Sequence, residues 1–145
     1  MNEREGVTIY GSINYKTHKT VVREYKAGNG ENTVDYVEYL RMLSGYENIL
    51  LLWDSASYHK NGEMKKYLEK INRGLDEKDW RVTCLPLARY APDQNPVEDI
   101  WLNGKNGIRQ KFSENKTFRA VKECFMQRIR NYQFSFDKLS IFGTV

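Results

Sequence analysis

The sequence is poor in the features that mark whole classes of protein. Its 145 residues include two cysteines, Cys84 in a strand-like run and Cys124 on an apolar helical stripe. Neither has the spacing of a zinc knuckle or a redox pair, and both are read as buried, reduced thiols. No apolar run approaches the roughly 18 residues of a membrane-spanning helix, and the opening MNEREGV is charged rather than signal-like. A cytoplasmic protein with no membrane partner is expected. Internal repeats, low-complexity tracts and interdomain linkers are also lacking. A content of 40% hydrophobic and 29% charged residues suits a single domain over residues 1–145, large enough to bury a core. Of the three prolines, Pro92 and Pro96 fall in one short stretch directly before a helical pattern.

Charge is unevenly placed. The net value is +4, but residues 101–145 carry nine basic and three acidic groups, a surplus of +6. A basic C-terminal segment suits contacts to a phosphate backbone, where neutralised phosphates release counterions. It suits a solvated helix face equally well.

Along the chain, Val7–Tyr15 and Thr20–Tyr25 are rich in β-branched and aromatic residues and are joined by the polar KTHK, which predicts an antiparallel hairpin. Asn32 or Thr33 then caps a helix bearing Val34, Val37, Leu40 and Leu43, closed by Gly45. The run NILLLWD at Asn48–Asp54 reads as a central strand covered on both faces. A helix led in by His59 or Asn61 carries Met64, Tyr67, Leu68 and Ile71 on one stripe and ends at Gly74. A charged loop, a strand over Trp80–Leu85 and two helices follow, the last with Phe118, Val121, Phe125, Ile129 and Tyr132 at helical spacing. This order fits an α/β domain with helices on the faces of a mixed sheet.

Two carboxylates stand out. Asp54 closes an apolar strand, and ligands in open α/β sheets collect at the carboxyl ends of strands; Asp54 capping the next turn with Ser55 and Ser57 explains it equally. Glu98 lies in LPLARYAPDQNPVEDIW, where Asn95 as N-cap, Pro96 at the first helical position and Glu98 at the third make a near-ideal helix start. Capping alone accounts for much of that arrangement.

Taken together, DSASYH at 54–59 and YAPDQNPVEDIW at 90–101 resemble the signatures of the DDE transposases of the mariner superfamily and the related bacterial insertion-sequence transposases. The second stretch is the more specific, with Tyr90, Pro92, Asp93, Asn95, Pro96, Glu98 and Trp101 all in place. The resemblance covers residues 6–112 and leaves 113–145 as a basic C-terminal helical segment. It implies an RNase H-like catalytic core of the retroviral integrase type, with Asp54 as the second catalytic carboxylate and Glu98 as the third. Both would be ligands of Mg²⁺ or Mn²⁺, and the implied substrate is DNA at transposon ends. His59 lies where the family approaches its active site, and Lys105, Arg109 and Lys111 extend from the catalytic helix as candidate DNA contacts.

The departures are Ser55 for the usual Asn, Ala91 for Ser and Gln94 for Leu, with Gly104 and Gly107 weakening the helix. The 43 residues between Asp54 and Glu98 exceed the family's usual spacing, and NRGLDEKDW is expected to hold the excess as a surface insertion. The family's first Asp has no counterpart, so the chain is expected to be a partial core lacking the first strand. Glu31, Asp35 and Glu38 are the carboxylates that could substitute for it; Glu38 points away from the apolar stripe, toward a solvated face. A sheet without that strand exposes edges, so a homo-oligomer or an N-terminal transposase segment is an expected partner. The alternative is a catalytically inactive remnant that only self-associates or binds DNA.

Overall fold

The computed structural model describes residues 6–53, 62–86, 97–110 and 117–131. Their order is β1 (Thr8–Ile13), β2 (Thr20–Tyr25), α1 (Gly30–Leu43), β3 (Ile49–Trp53), α2 (Gly62–Asn72), a single 3-10 turn (Glu77–Asp79), β4 (Val82–Pro86), α3 (Val97–Gln110) and α4 (Phe118–Asn131). Among the described residues the strands form two small sheets, β1 with β2 and β3 with β4, in a mixed α/β chain. The elements divide into two compact units. One holds β1, most of β2, α3 and α4; the other holds α1, α2, β3 and β4.

In the first unit the hairpin turns on Asn14. Its side-chain oxygen accepts from the backbone N–H groups of Lys16 at 2.9 Å and Thr17 at 3.0 Å, an Asx turn that short polar side chains form readily. His18 takes a left-handed φ of 59° and donates to the Asn14 carbonyl at 2.8 Å. The strands present Ile9, Ile13 and Val22, joined by Tyr15, to a core of Ile100, Met126 and Ile129. Thr117 starts α4, its hydroxyl accepting from the Ala120 N–H at 3.1 Å.

The seam between α3 and α4 explains two glycines that the sequence alone presents as helix-weakening. A Cβ at Gly104 would overlap the Phe125 ring, and one at Gly107 would lie 2.9 Å from Cγ of Arg128. Both helical glycines are buried. Their missing side chains are what lets α4 lie this close, a packing gain set against the loss of about 1 kcal/mol of helix propensity at each.

In the second unit α1 begins a turn earlier than the apolar pattern indicates. Asn29 is the N-cap, accepting from the Asn32 N–H at 2.8 Å. Asn32 instead donates its side-chain amide to the Ala27 carbonyl at 2.8 Å. The helix closes at Gly45, with a φ of 69°, where Tyr46 N–H reaches the Arg41 carbonyl at 2.8 Å and Gly45 N–H the Met42 carbonyl at 3.1 Å. This paired closure needs a left-handed residue at the glycine position.

β3 and β4 run parallel, with Ile49 opposite Val82 and Leu52 opposite Leu85. Leu51, Trp53 and Cys84 pack with Val82 against Val37 and Met64 from α1 and α2. The opposite face is open: Leu50 is 60%, Leu52 41% and Leu85 46% exposed. β3 is therefore not the doubly covered strand its unbroken apolar run predicts. Alternating residues point to opposite faces, and among the described residues only one helical layer packs on this sheet. Burial pushes the Cys84 thiol up to about 11, in keeping with an unreactive, unpaired cysteine. The segment Arg73–Asp79 is exposed.

Two polar contacts tie this unit together. Asn72, buried at the end of α2, donates to the Val82 carbonyl at 2.9 Å and accepts from the Arg81 N–H at 2.8 Å. Replacing it leaves the buried Val82 carbonyl of β4 without this partner. Asn72→Ala is expected to destabilise the chain by about 2 kcal/mol in urea unfolding, and a change below about 0.5 kcal/mol would show that these bonds are dispensable. The second contact joins α1 to α2. The Tyr67 hydroxyl donates to Glu38, and Arg41 donates to the same carboxylate oxygen at 2.7 Å. Burial pushes the Glu38 carboxyl up, but the Tyr67 and Arg41 hydrogen bonds outweigh it and hold the group below its ordinary range. Glu38 is thus an interhelical anchor on a face that stays partly open to solvent, as its place off the apolar stripe suggests.

Candidate functional site

The candidate site is built on α3. Its inward residues are Ile100, Trp101, Gly104 and Gly107, and its exposed residues include Glu98, Leu102, Lys105 and Arg109. Those four lie at intervals of four, three and four positions, so a period of 3.6 residues aligns them in one stripe along the helix. Glu98 stands in the first turn and Arg109 in the last.

Trp101 holds this face outward. Its ring lies so close to the Gly11 backbone of β1 that any side chain there would overlap it, and it stacks on Phe125 at 6.1 Å between centroids and 17° between planes. Ile100 beside it is fully buried. Trp101 is thus the packing member of the motif, fixing the rotation of α3 and with it the direction in which Glu98 points.

The cations differ in what they are free to do. Arg128 on α4 donates to the Asn103 side chain at 2.8 Å, which draws it toward α3. Arg119 pairs with Glu123 at 3.1 Å on an exposed face. Arg109 makes a long contact of 3.3 Å to Asn106 on its own helix, and its charge stays on the exposed stripe with that of Lys105.

Of the residues the sequence nominates, the structure brings Glu98, Lys105 and Arg109 to one face. Asp54, His59 and Lys111 lie outside the described residues, as do Tyr90, Pro92, Asp93, Asn95 and Pro96, so the predicted cap of α3 does too. Asp54 follows directly on Trp53, the last residue of β3. Two of the three alternative carboxylates of α1 are engaged locally: Asp35 accepts from the Tyr25 hydroxyl at 2.6 Å, and Glu38 is held by Tyr67 and Arg41, while Glu31 stands exposed in the first turn. Among the described residues no group of three or more His, Cys, Asp or Glu side chains forms a metal site. Glu98 offers the hard carboxylate oxygens that suit Mg²⁺ or Mn²⁺, but the described residues do not by themselves complete a coordination set.

Neither the exposed Leu102 nor the anchoring role of Trp101 is signalled by the sequence. The spacing of the stripe from Glu98 to Arg109 is legible there; which residues face inward is settled only by Gly11, Phe125 and Arg128.

Among the described residues no helix is long and apolar enough to cross a membrane. No curated protein matches the chain. The family described as DDE superfamily endonuclease matches residues 1–119, a span that takes in the hairpin, the parallel strand pair, Asp54 and the whole of α3 with Glu98. The carboxylate motif, its outward placement on a packed helix and that match agree, and the chain belongs to the DDE superfamily endonuclease family.

Proposed function

We propose that residues 1–145 form part of the catalytic core of a DNA transposase of the mariner and insertion-sequence type. The fold would be an RNase H-like mixed sheet flanked by helices, and the setting cytoplasmic. Asp54 and Glu98 would hold the metal, and His59, Lys105, Arg109 and Lys111 would contact DNA. The observation that carries this reading is the exposed stripe of α3, where Glu98 shares one face with Lys105 and Arg109.

Mg²⁺ or Mn²⁺, when bound, supplies Lewis-acid stabilisation of the phosphoryl oxygens and an activated oxygen nucleophile. The chain supplies position. Trp101, seated on Gly11 and Phe125, keeps α3 from rolling, so the Glu98 carboxylate keeps one direction relative to the strand it addresses. Lys105 and Arg109 neutralise phosphates further along that strand and set its register without reading bases.

The family pattern has three carboxylates, and the first has no counterpart in this sequence. On this reading Asp54 and Glu98 alone do not complete the metal site. Nicking of supercoiled plasmid with Mn²⁺ tests this: the chain alone is expected to cleave little or not at all. Clear cleavage that Glu98→Gln lowers by roughly 10² or more would show that two carboxylates suffice. Cleavage indifferent to Glu98→Gln would remove Glu98 from the chemistry.

A second reading, a non-catalytic domain that self-associates or binds DNA, is supported by the open apolar face of Leu50, Leu52 and Leu85. Parallel sheets are rarely left bare on one side. A stable homo-oligomer without nicking activity favours it.

A further inference from the structure

Leu102 is the one apolar residue in the exposed stripe of α3, and it is 52% exposed. Glu98 precedes it by one turn, Lys105 follows by three positions and Arg109 by seven. Single exposed leucines are common and need no special cause, so its neighbours decide the matter. The exposed leucines of β3 and β4 lie side by side and form an apolar patch. Leu102 instead sits among charged groups, and the cores of protein interfaces are depleted in Lys and Glu. A polymer that alternates anionic and apolar parts fits such a stripe better.

At a rise of 1.5 Å per residue, Leu102 lies about 6 Å and Lys105 about 10.5 Å along the axis from Glu98. A nucleic acid strand with one phosphate at Glu98 and another near Lys105 must pass a nucleoside over the position between them. Leucine is among the side chains that proteins insert against bases to unstack them.

We propose that Leu102 is a positioning residue that packs against the base beside the phosphodiester addressed by Glu98, unstacking it so that the strand lies along α3. This rests on the assignment of Glu98 to the metal and of Lys105 to DNA made above. The side chain takes no part in bond making; it acts by holding the nucleotide.

The test is fluorescence anisotropy of the full 145-residue chain with a duplex bearing a 3′ single-stranded overhang, and with the same DNA made abasic along that overhang. Leu102→Gln is expected to weaken binding to the normal overhang by about tenfold. It should leave binding to the abasic DNA unchanged, and Leu102→Met should restore the wild-type value. The melting temperature should not fall. Equal weakening on both DNAs, or a lowered melting temperature, would overturn the proposal, since neither depends on a base. No weakening on either would also overturn the proposal while the DNA assignment stands. Failure of the wild-type chain to bind either DNA overturns that assignment, and this inference with it.

Discussion

Gly104→Val is expected to lower the stability of the unit built from β1, β2, α3 and α4 by about 3 kcal/mol, read as a shift of its unfolding transition. Two effects oppose each other at this position. Any residue other than glycine gains helix propensity, by as much as about 1 kcal/mol for alanine. Against that, the first added carbon overlaps the Phe125 ring, and a third ring atom, Cζ, lies at 2.9 Å. The ring has little room to yield, because it is also stacked on Trp101. Overpacking of this kind costs about 1–3 kcal/mol, and the branched valine side chain places it at the upper end. Gly104→Ala should give a smaller net loss, since the propensity gain offsets part of the overlap. Combining Gly104→Val with Phe125→Ala should recover part of the difference, as residues in direct contact couple in double-mutant cycles. Stability unchanged or raised in Gly104→Val would mean that α4 does not lie against α3 as described. Because the same seam fixes the rotation of Trp101, the substitution should also disturb the stripe that carries Glu98.

Neutralising Lys105, Arg109 and Lys111 together is expected to weaken DNA binding by roughly 10² to 10³ at about 0.1 M salt and to flatten its salt dependence. Each phosphate deprived of its cation takes about 0.9 from the slope of log affinity against log salt on duplex DNA, so the three substitutions together take about 2.7. They are Lys105→Gln, Arg109→Gln and Lys111→Gln, assayed by anisotropy from about 50 to 200 mM salt. The measurement separates the two meanings of a basic helix: a merely solvated face leaves the slope unaltered, whereas a phosphate track lowers it. Arg119→Gln is the control, since its guanidinium pairs with Glu123 at 3.1 Å and lies on α4. Its effect should be small, and equal losses from Arg119→Gln would mean that net charge, not the α3 stripe, governs binding. Lys105→Arg should retain affinity, because a phosphate contact needs the charge more than the shape.

Local pattern makes the elements legible. The hairpin follows from two β-branched runs around a polar turn, α2 from Met64, Tyr67, Leu68 and Ile71, and α4 from Phe118, Val121, Phe125 and Ile129, all of which the structure places as expected. The start of α1 is not legible in the same way because Asn29, Asn32 and Thr33 are all competent caps, and the choice falls to hydrogen bonds that the apolar stripe does not encode. The open face of β3 is hidden too. An unbroken apolar strand indicates what it would bury, while what covers it depends on other layers of the molecule.

The sequence by itself determined the family and the pattern that marks it: a carboxylate in a proline-bounded motif at a helix start, followed by cations at spacings that a 3.6-residue period aligns. Those are short-range properties, set by backbone geometry over a few turns. Only the tertiary structure decided which way the helix faces and what each contact is for. Gly104 and Gly107 became a seam, Glu38 an anchor for Tyr67 at 29 positions' remove, and Asn72 a pin for β4. Each of these depends on residues distant in the chain meeting at atomic contact, where a methyl group or a single hydrogen bond changes the balance.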